Sequence, residues 1–150
     1  MTALAEPRDA ERPTSLRAKT SLVVEILATH RRARRLLRTK QLAAAVDELT
    51  AGRPQRPADK RDRVTAMRLE RAVTHTLKLP GVDSRCLMQS LVLQSLLAQR
   101  GIESILAVGA RQAPDFAAHA WVEHEGTPLQ SDAGYLPLVR LPRTEGAWQR

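Results

Sequence analysis

Asp83-Ser84-Arg85-Cys86-Leu87-Met88-Gln89-Ser90-Leu91-Val92-Leu93-Gln94-Ser95-Leu96-Leu97-Ala98-Gln99-Arg100-Gly101 is the segment on which the fold turns. Asp83 or Ser84 can cap a helix here, and Gly101 is placed to end it in a left-handed turn. Between them Leu87, Met88, Leu91, Val92, Leu93, Leu96 and Leu97 are apolar nearly all round the helical wheel. A helix of that kind is central and buried. Cys86, the only cysteine of the chain, stands at its start, in the second helical position if Ser84 is the cap. Unpaired backbone N–H groups and the helix dipole favour a thiolate there.

Downstream of Gly101 the pattern changes. Ile102 to Ala110 is short, partly β-branched and without helical spacing, so it reads as a strand. Ala117 to His124 reads as a second and Thr127 to Asp132 as a third, with Glu125-Gly126 as the turn between the last two. The remainder from Gly134, with Pro137 and Pro142, shows no clear element. Upstream, Ser15 can cap a helix whose apolar residues Leu16, Val23, Ile26 and Leu27 recur at helical spacing before the basic run His30-Arg31-Arg32-Ala33-Arg34-Arg35. Gln41 to Leu49 is alanine-rich and helical, Gly52 to Lys60 is a loop, and Asp62 to Leu77 is a third helix with a stripe of Ala66, Leu69, Val73 and Leu77. The fold class expected is α+β, a helical N-terminal half packed on a small antiparallel sheet. Residues 1–14 read as a disordered tail, 15–58 as basic N-terminal helices and 59–150 as the core that carries the chemistry.

Composition narrows the function. A chain of 150 residues with 43% hydrophobic content can bury one core. No run of 18 apolar residues and no secretory leader is visible, so neither a membrane span nor secretion is expected. One cysteine excludes an internal disulfide framework and a multi-cysteine zinc site and suits a reducing cytoplasm. The net charge of +8 invites a nucleic-acid reading, but aromatics make up only 3% and the positive charge is mostly arginine. Stacking platforms are therefore nearly absent, and an acidic peptide or protein is as good a target.

A thiol, an imidazole and a carboxylate follow in order: Cys86, His119 33 residues later, and Asp132 13 residues after that. A cysteine nucleophile needs a base to take its proton and an acid to orient the base. If Glu125-Gly126 is a two-residue turn, paired positions sum to 251, and His119 lies directly opposite Asp132 within hydrogen-bond reach. A one-residue slip turns Asp132 away, and Pro128 suits only an edge strand. Each residue alone also has a plain structural reading: a small buried side chain, a strand histidine, a strand-end aspartate. His30 and His75 read as surface residues of basic helices, and His124 as a turn flank. No cofactor or metal site is expected.

The blocks Asp83 to Leu91, Leu96-Leu97-Ala98-Gln99-Arg100-Gly101-Ile102, Ala107-Val108-Gly109-Ala110 and Ala118-His119-Ala120-Trp121-Val122-Glu123 resemble the lasso peptide biosynthesis B2 proteins. These are leader peptidases of the transglutaminase-like superfamily, similar to the C-terminal part of the microcin-processing protein. The resemblance spans roughly residues 60–135 and departs at Met88-Gln89, where relatives often carry arginine. It implies a transglutaminase-like, papain-like cysteine protease core with Cys86 as nucleophile, His119 as base and Asp132 as orienting acid. The implied substrate is a ribosomally made lasso precursor, whose leader is removed. The implied partners are the precursor leader peptide, a separate leader-binding (RRE-type) B1 protein and the ATP-dependent lasso cyclase. Arg31, Arg32, Arg34, Arg35 and Arg38 form a candidate docking face for the partner or an acidic leader. Two other functions fit the residues: amide transfer through the same thioester, and a non-catalytic basic binding protein.

Overall fold

The computed structural model describes residues 15–52, 56–83, 85–112, 115–132 and 134–142. The expected tail, residues 1–14, and Ser84 lie outside the described residues. Four helices precede four strands: α1 (Leu16–Thr39), α2 (Leu42–Thr50), α3 (Lys60–Thr76), α4 (Cys86–Gln99), β1 (Ile105–Arg111), β2 (Ala117–His124), β3 (Thr127–Pro128) and β4 (Leu136–Leu141). The strands form one antiparallel sheet in the order β3-β2-β1-β4. The architecture is α+β, as expected.

α4 is the hub. It touches each of the other helices as well as β1 and β2, and Met88 and every residue from Ser90 to Leu97 are buried. Burying a helix on all sides leaves its polar side chains to be satisfied internally. Ser90 Oγ donates to the Ala120 carbonyl, Gln94 Nε2 to the Leu141 carbonyl at 2.9 Å, and Ser95 Oγ to the Leu49 carbonyl. These bonds tie the helix to β2, β4 and α2. The helix ends as the sequence predicts. Gly101 has φ 70°, its N–H donates to the Ala98 carbonyl, and the Ile102 N–H donates to the Leu97 carbonyl. That pair of bonds is a Schellman closure.

The buried stripe of α3, Ala66, Leu69, Val73 and Leu77, packs in the common core. The helix starts two residues before Asp62 because Asp59 caps it in a reciprocal box with Asp62. α1 differs more from expectation. Its buried side is Ile26, Thr29, His30, Ala33 and Leu36, whereas Leu16 is 81% and Val23 37% exposed. The stripe therefore runs through the basic segment, and the arginines around it project outward. His30 is thus buried, not a surface residue, and its Nε2 meets the Asp83 carbonyl at 3.2 Å. His75 is exposed, as expected. One buried cluster extends from Ile26 to Leu141, so α1 and α2 share a core with the sheet.

The hairpin forms in the predicted register, with His124 opposite Thr127 and Glu123 opposite Pro128. Both turn residues have positive φ, 50° at Glu125 and 72° at Gly126, the backbone that two-residue hairpins favour. β3 is far shorter than the expected Thr127–Asp132 strand. The Leu129 N–H still reaches the Val122 carbonyl at 2.8 Å. The Val122 N–H, however, is taken at 3.0 Å by the Gln130 side-chain oxygen, which shares the Ser90 hydroxyl proton with the Ala120 carbonyl. A side chain has replaced the ladder, and the chain leaves the sheet. β4, unforeseen in the sequence, pairs with β1 across an irregularity at Val108/Gly109. It is an edge strand exposed along most of its length, so burial imposes no alternation on its residues.

Candidate functional site

The site lies where α3, α4, β2 and the chain after β3 meet. α3 contributes Glu70 and Thr74, α4 contributes Cys86 and Gln89, and β2 contributes His119 and Ala120. Leu129, Gln130, Ser131 and Tyr135 complete an open groove of about 460 Å³. Cys86 is half-buried and is the first residue of α4. Arg85 holds the cap position, so Cys86 sits one place earlier than the Ser84-capped reading put it. The first bond of the helix runs from the Gln89 N–H to the Arg85 carbonyl. The N–H groups of Cys86, Leu87 and Met88 thus precede the intrahelical ladder and point from the helix start.

The approach to α4 is braced by charge. The Asp83 carboxylate accepts from the Arg85 backbone N–H and, in three contacts, from its guanidinium. The Arg85 guanidinium, followed by its backbone N–H, lowers the Asp83 carboxyl to about 2, against burial, with smaller help from His30. His30 holds the adjacent carbonyl from below. The buried imidazole that the sequence reading placed on the surface therefore positions the turn leading to the thiol. Its spacing of four from Ile26 and three to Ala33 was the available signal.

His119 is held from three sides. Its Nε2 lies 2.8 Å from the Ser131 carbonyl oxygen, and its ring stacks on Trp121 at 5.9 Å and tilts against Tyr135 at 5.0 Å. A ring nitrogen facing a carbonyl must carry the proton, so the neutral ring keeps its lone pair on Nδ1. That leaves Nδ1 as the atom able to accept a proton. Among the described residues no hydrogen bond joins Cys86 to the ring, although both line the groove. Trp121 is itself fixed, with Nε1 donating to Glu123 Oε1 while Arg140 pairs with Glu123 Oε2 at 3.1 Å. Gly109, opposite His119, admits this packing, since a Cβ there would stand 2.5 Å from the Leu136 carbonyl oxygen and 2.8 Å from the Trp121 ring.

Asp132 is not cross-strand from His119. The ladder has ended before it, Asp132 is exposed, and the backbone of its neighbour Ser131 occupies the Nε2 position. The expected pairing required β3 to continue four residues further than it does. Gln130 is the reason, and no periodicity in the sequence marks a glutamine that will displace a backbone partner.

A second hollow of about 280 Å³ lies at the other end of β2, bordered by Arg56, Asp62 and His124. His124 is 3% exposed, with Nδ1 at 2.8 Å from the Glu103 carbonyl oxygen. It is a core residue and not merely a turn flank. Among the described residues no cysteine lines this hollow. Among the described residues no group of His, Cys, Asp and Glu is arranged to hold a metal ion, and no helix is long and apolar enough to cross a membrane.

Comparison with curated proteins and with solved structures found no match. At the level of families, the model described as the transglutaminase-like superfamily, which includes cysteine peptidases and transferases, matches residues 26–140, most of the chain and all of the groove, and the chain belongs to that superfamily.

Proposed function

We propose that this protein is a cytoplasmic cysteine peptidase that removes the leader from a lasso precursor peptide, acting with a separate leader-binding protein. The observation that carries the reading is the shared groove: the sole thiol, at a helix start, and an imidazole with a free Nδ1 line one open cleft. The superfamily match and the motif blocks around Cys86 and His119 support it.

His119 Nδ1 takes the Cys86 proton, and the thiolate attacks the carbonyl at the leader–core junction. The developing oxyanion is met by N–H groups at the start of α4, with the Gln89 side chain as a further candidate donor. The protonated His119 gives its proton to the leaving amine, which becomes the N-terminus of the core peptide. Water then cleaves the thioester, releasing the leader acid and restoring the thiol. Asp132 is assigned as the orienting acid that supports the imidazolium, beside the Ser131 carbonyl that holds Nε2. Catalytic hydrogen bonds commonly tighten only once substrate is bound.

Incubation of precursor, leader-binding protein and this chain, read by mass spectrometry, tests the proposal. Cys86→Ala is expected to abolish leader release while leaving the fold and partner binding intact. Unchanged release by this variant would favour a non-catalytic binding role. Amide transfer would appear as a leader conjugated to an amine instead of the free acid.

A further inference from the structure

We infer that Glu70 makes the groove select substrates with a cationic side chain, lysine or arginine, beside the bond that Cys86 attacks. The inference rests on Cys86 being the nucleophile and adds to that reading the chemistry of the residue accepted next to it. Among the described groove residues that α3, α4 and β2 contribute, Glu70 is the only ionisable acid or base besides Cys86 and His119, and no described arginine or lysine lines the groove. Its setting is unusual for this protein. α3 is otherwise rich in positive charge, with Lys60, Arg61, Arg63, Arg68 and Arg71, and the chain as a whole carries +8.

The carboxylate is half-buried and aimed by its own helix. Thr74, one turn later, donates its hydroxyl to Glu70 Oε1 at 2.9 Å. Among the described residues no ion pair within 4 Å engages Glu70, whereas Glu25, Glu48, Asp62, Asp83 and Glu123 each have an arginine or lysine partner. Glu70 is partnered by a neutral hydroxyl and not by a cation. An open groove with one fixed negative charge attracts a cation and repels an anion.

Because Cys86 is the only cysteine, its modification reads the field in the groove without requiring turnover. The rates of its reaction with a cationic trimethylammonium-ethyl methanethiosulfonate and with the anionic sulfonatoethyl analogue would be compared by mass spectrometry. In each case the thiolate displaces methanesulfinate and forms a mixed disulfide. The cation-to-anion rate ratio is expected to fall about threefold to tenfold in Glu70→Gln and further in Glu70→Lys. Glu103→Gln, which removes the same charge from an exposed site outside the groove, is expected to leave the ratio unchanged. A ratio unaffected by Glu70→Gln, or moved equally by Glu103→Gln, overturns the inference.

Precursor peptides carrying lysine, glutamine or glutamate beside the scissile bond supply the second arm. Glu70→Lys is expected to reverse the order of their kcat/KM values. Cleavage by the wild type with a preference indifferent to residue 70 would sink the selectivity claim and leave the peptidase reading standing. No cleavage of any peptide, together with a labelling ratio that follows residue 70, would sink the peptidase reading and confine Glu70 to binding cationic ligands at the thiol.

Discussion

Two histidines stand on β2, five residues apart, and their surroundings differ. His119 is half-exposed, stacked between Trp121 and Tyr135, and opens on a groove that Cys86 also lines. His124 is 3% exposed and uses Nδ1 to hold the Glu103 carbonyl, while its Nε2 is buried without a hydrogen-bond partner. At about 3.4 Å per residue the strand separates them by roughly 17 Å. In the proposed reading the same side chain on the same strand serves chemistry at one end and packing at the other. What differs is the element facing each, the start of α4 or the body of the core.

Replacing each histidine should separate these roles most sharply. His119→Ala is expected to lower leader removal by about a thousandfold, the scale of a lost general base, with little change in stability. His124→Ala should do the reverse, lowering stability by about 2 kcal/mol through a buried cavity and a lost hydrogen bond, with activity per folded molecule retained. Activity assays beside urea unfolding check both. Equal behaviour of the two variants would erase the distinction.

Asp132→Asn gauges how the base is oriented. A triad that loses its aspartate commonly suffers because the wrong tautomer is then favoured. Here the Ser131 carbonyl already fixes the proton on Nε2, so the variant should forfeit only charge stabilisation of the imidazolium. A fall of about tenfold to a hundredfold in kcat is expected, well short of His119→Ala. A loss as large as that of His119→Ala would show that the carboxylate displaces the carbonyl in the working complex.

Gly109→Ala probes the support of the His119 end. The new Cβ cannot be placed without moving the β4 backbone or the Trp121 ring, and overpacking of this kind costs about 1–3 kcal/mol. Thermal unfolding should register that cost, and activity should fall because Trp121 carries the imidazole. The smallest effect belongs to Asp83. Its folded pKa of about 2 lies below the ordinary 3.8, so its pairing stabilises the fold above pH 3.8 and is lost as pH falls through about 2. Arg85 is 85% exposed, and screening holds the contribution to about 0.5 kcal/mol. The stability gap between wild type and Asp83→Asn should therefore be constant near neutrality and close between pH 4 and 2.

Much of this was legible in the chain. The all-round apolar helix from Cys86, its glycine stop and the Glu125-Gly126 turn with its register each rest on a local rule of backbone or periodicity, and each is present. The groove residues Cys86 and His119 stood out through spacing and motif. The failures share a different cause. β3 ends early because the Gln130 side chain captures a backbone N–H on β2. β4 forms because the edge of β1 was free to pair. Leu16 and Val23 stay exposed while His30 is buried, because α4 packs on one side of α1 only.

Local physics by itself determined the helices, the first two strands, the turn and the place of the thiol, because helix caps, glycine backbone angles and apolar periodicity act over a few residues. Tertiary structure alone decided what faces each imidazole, that a carbonyl and not Asp132 occupies His119 Nε2, and that Glu70 shares a groove with Cys86. Those outcomes depend on contacts between segments 12 or more residues apart, for which buried polar groups compete with one another, and no short-range pattern records the winner.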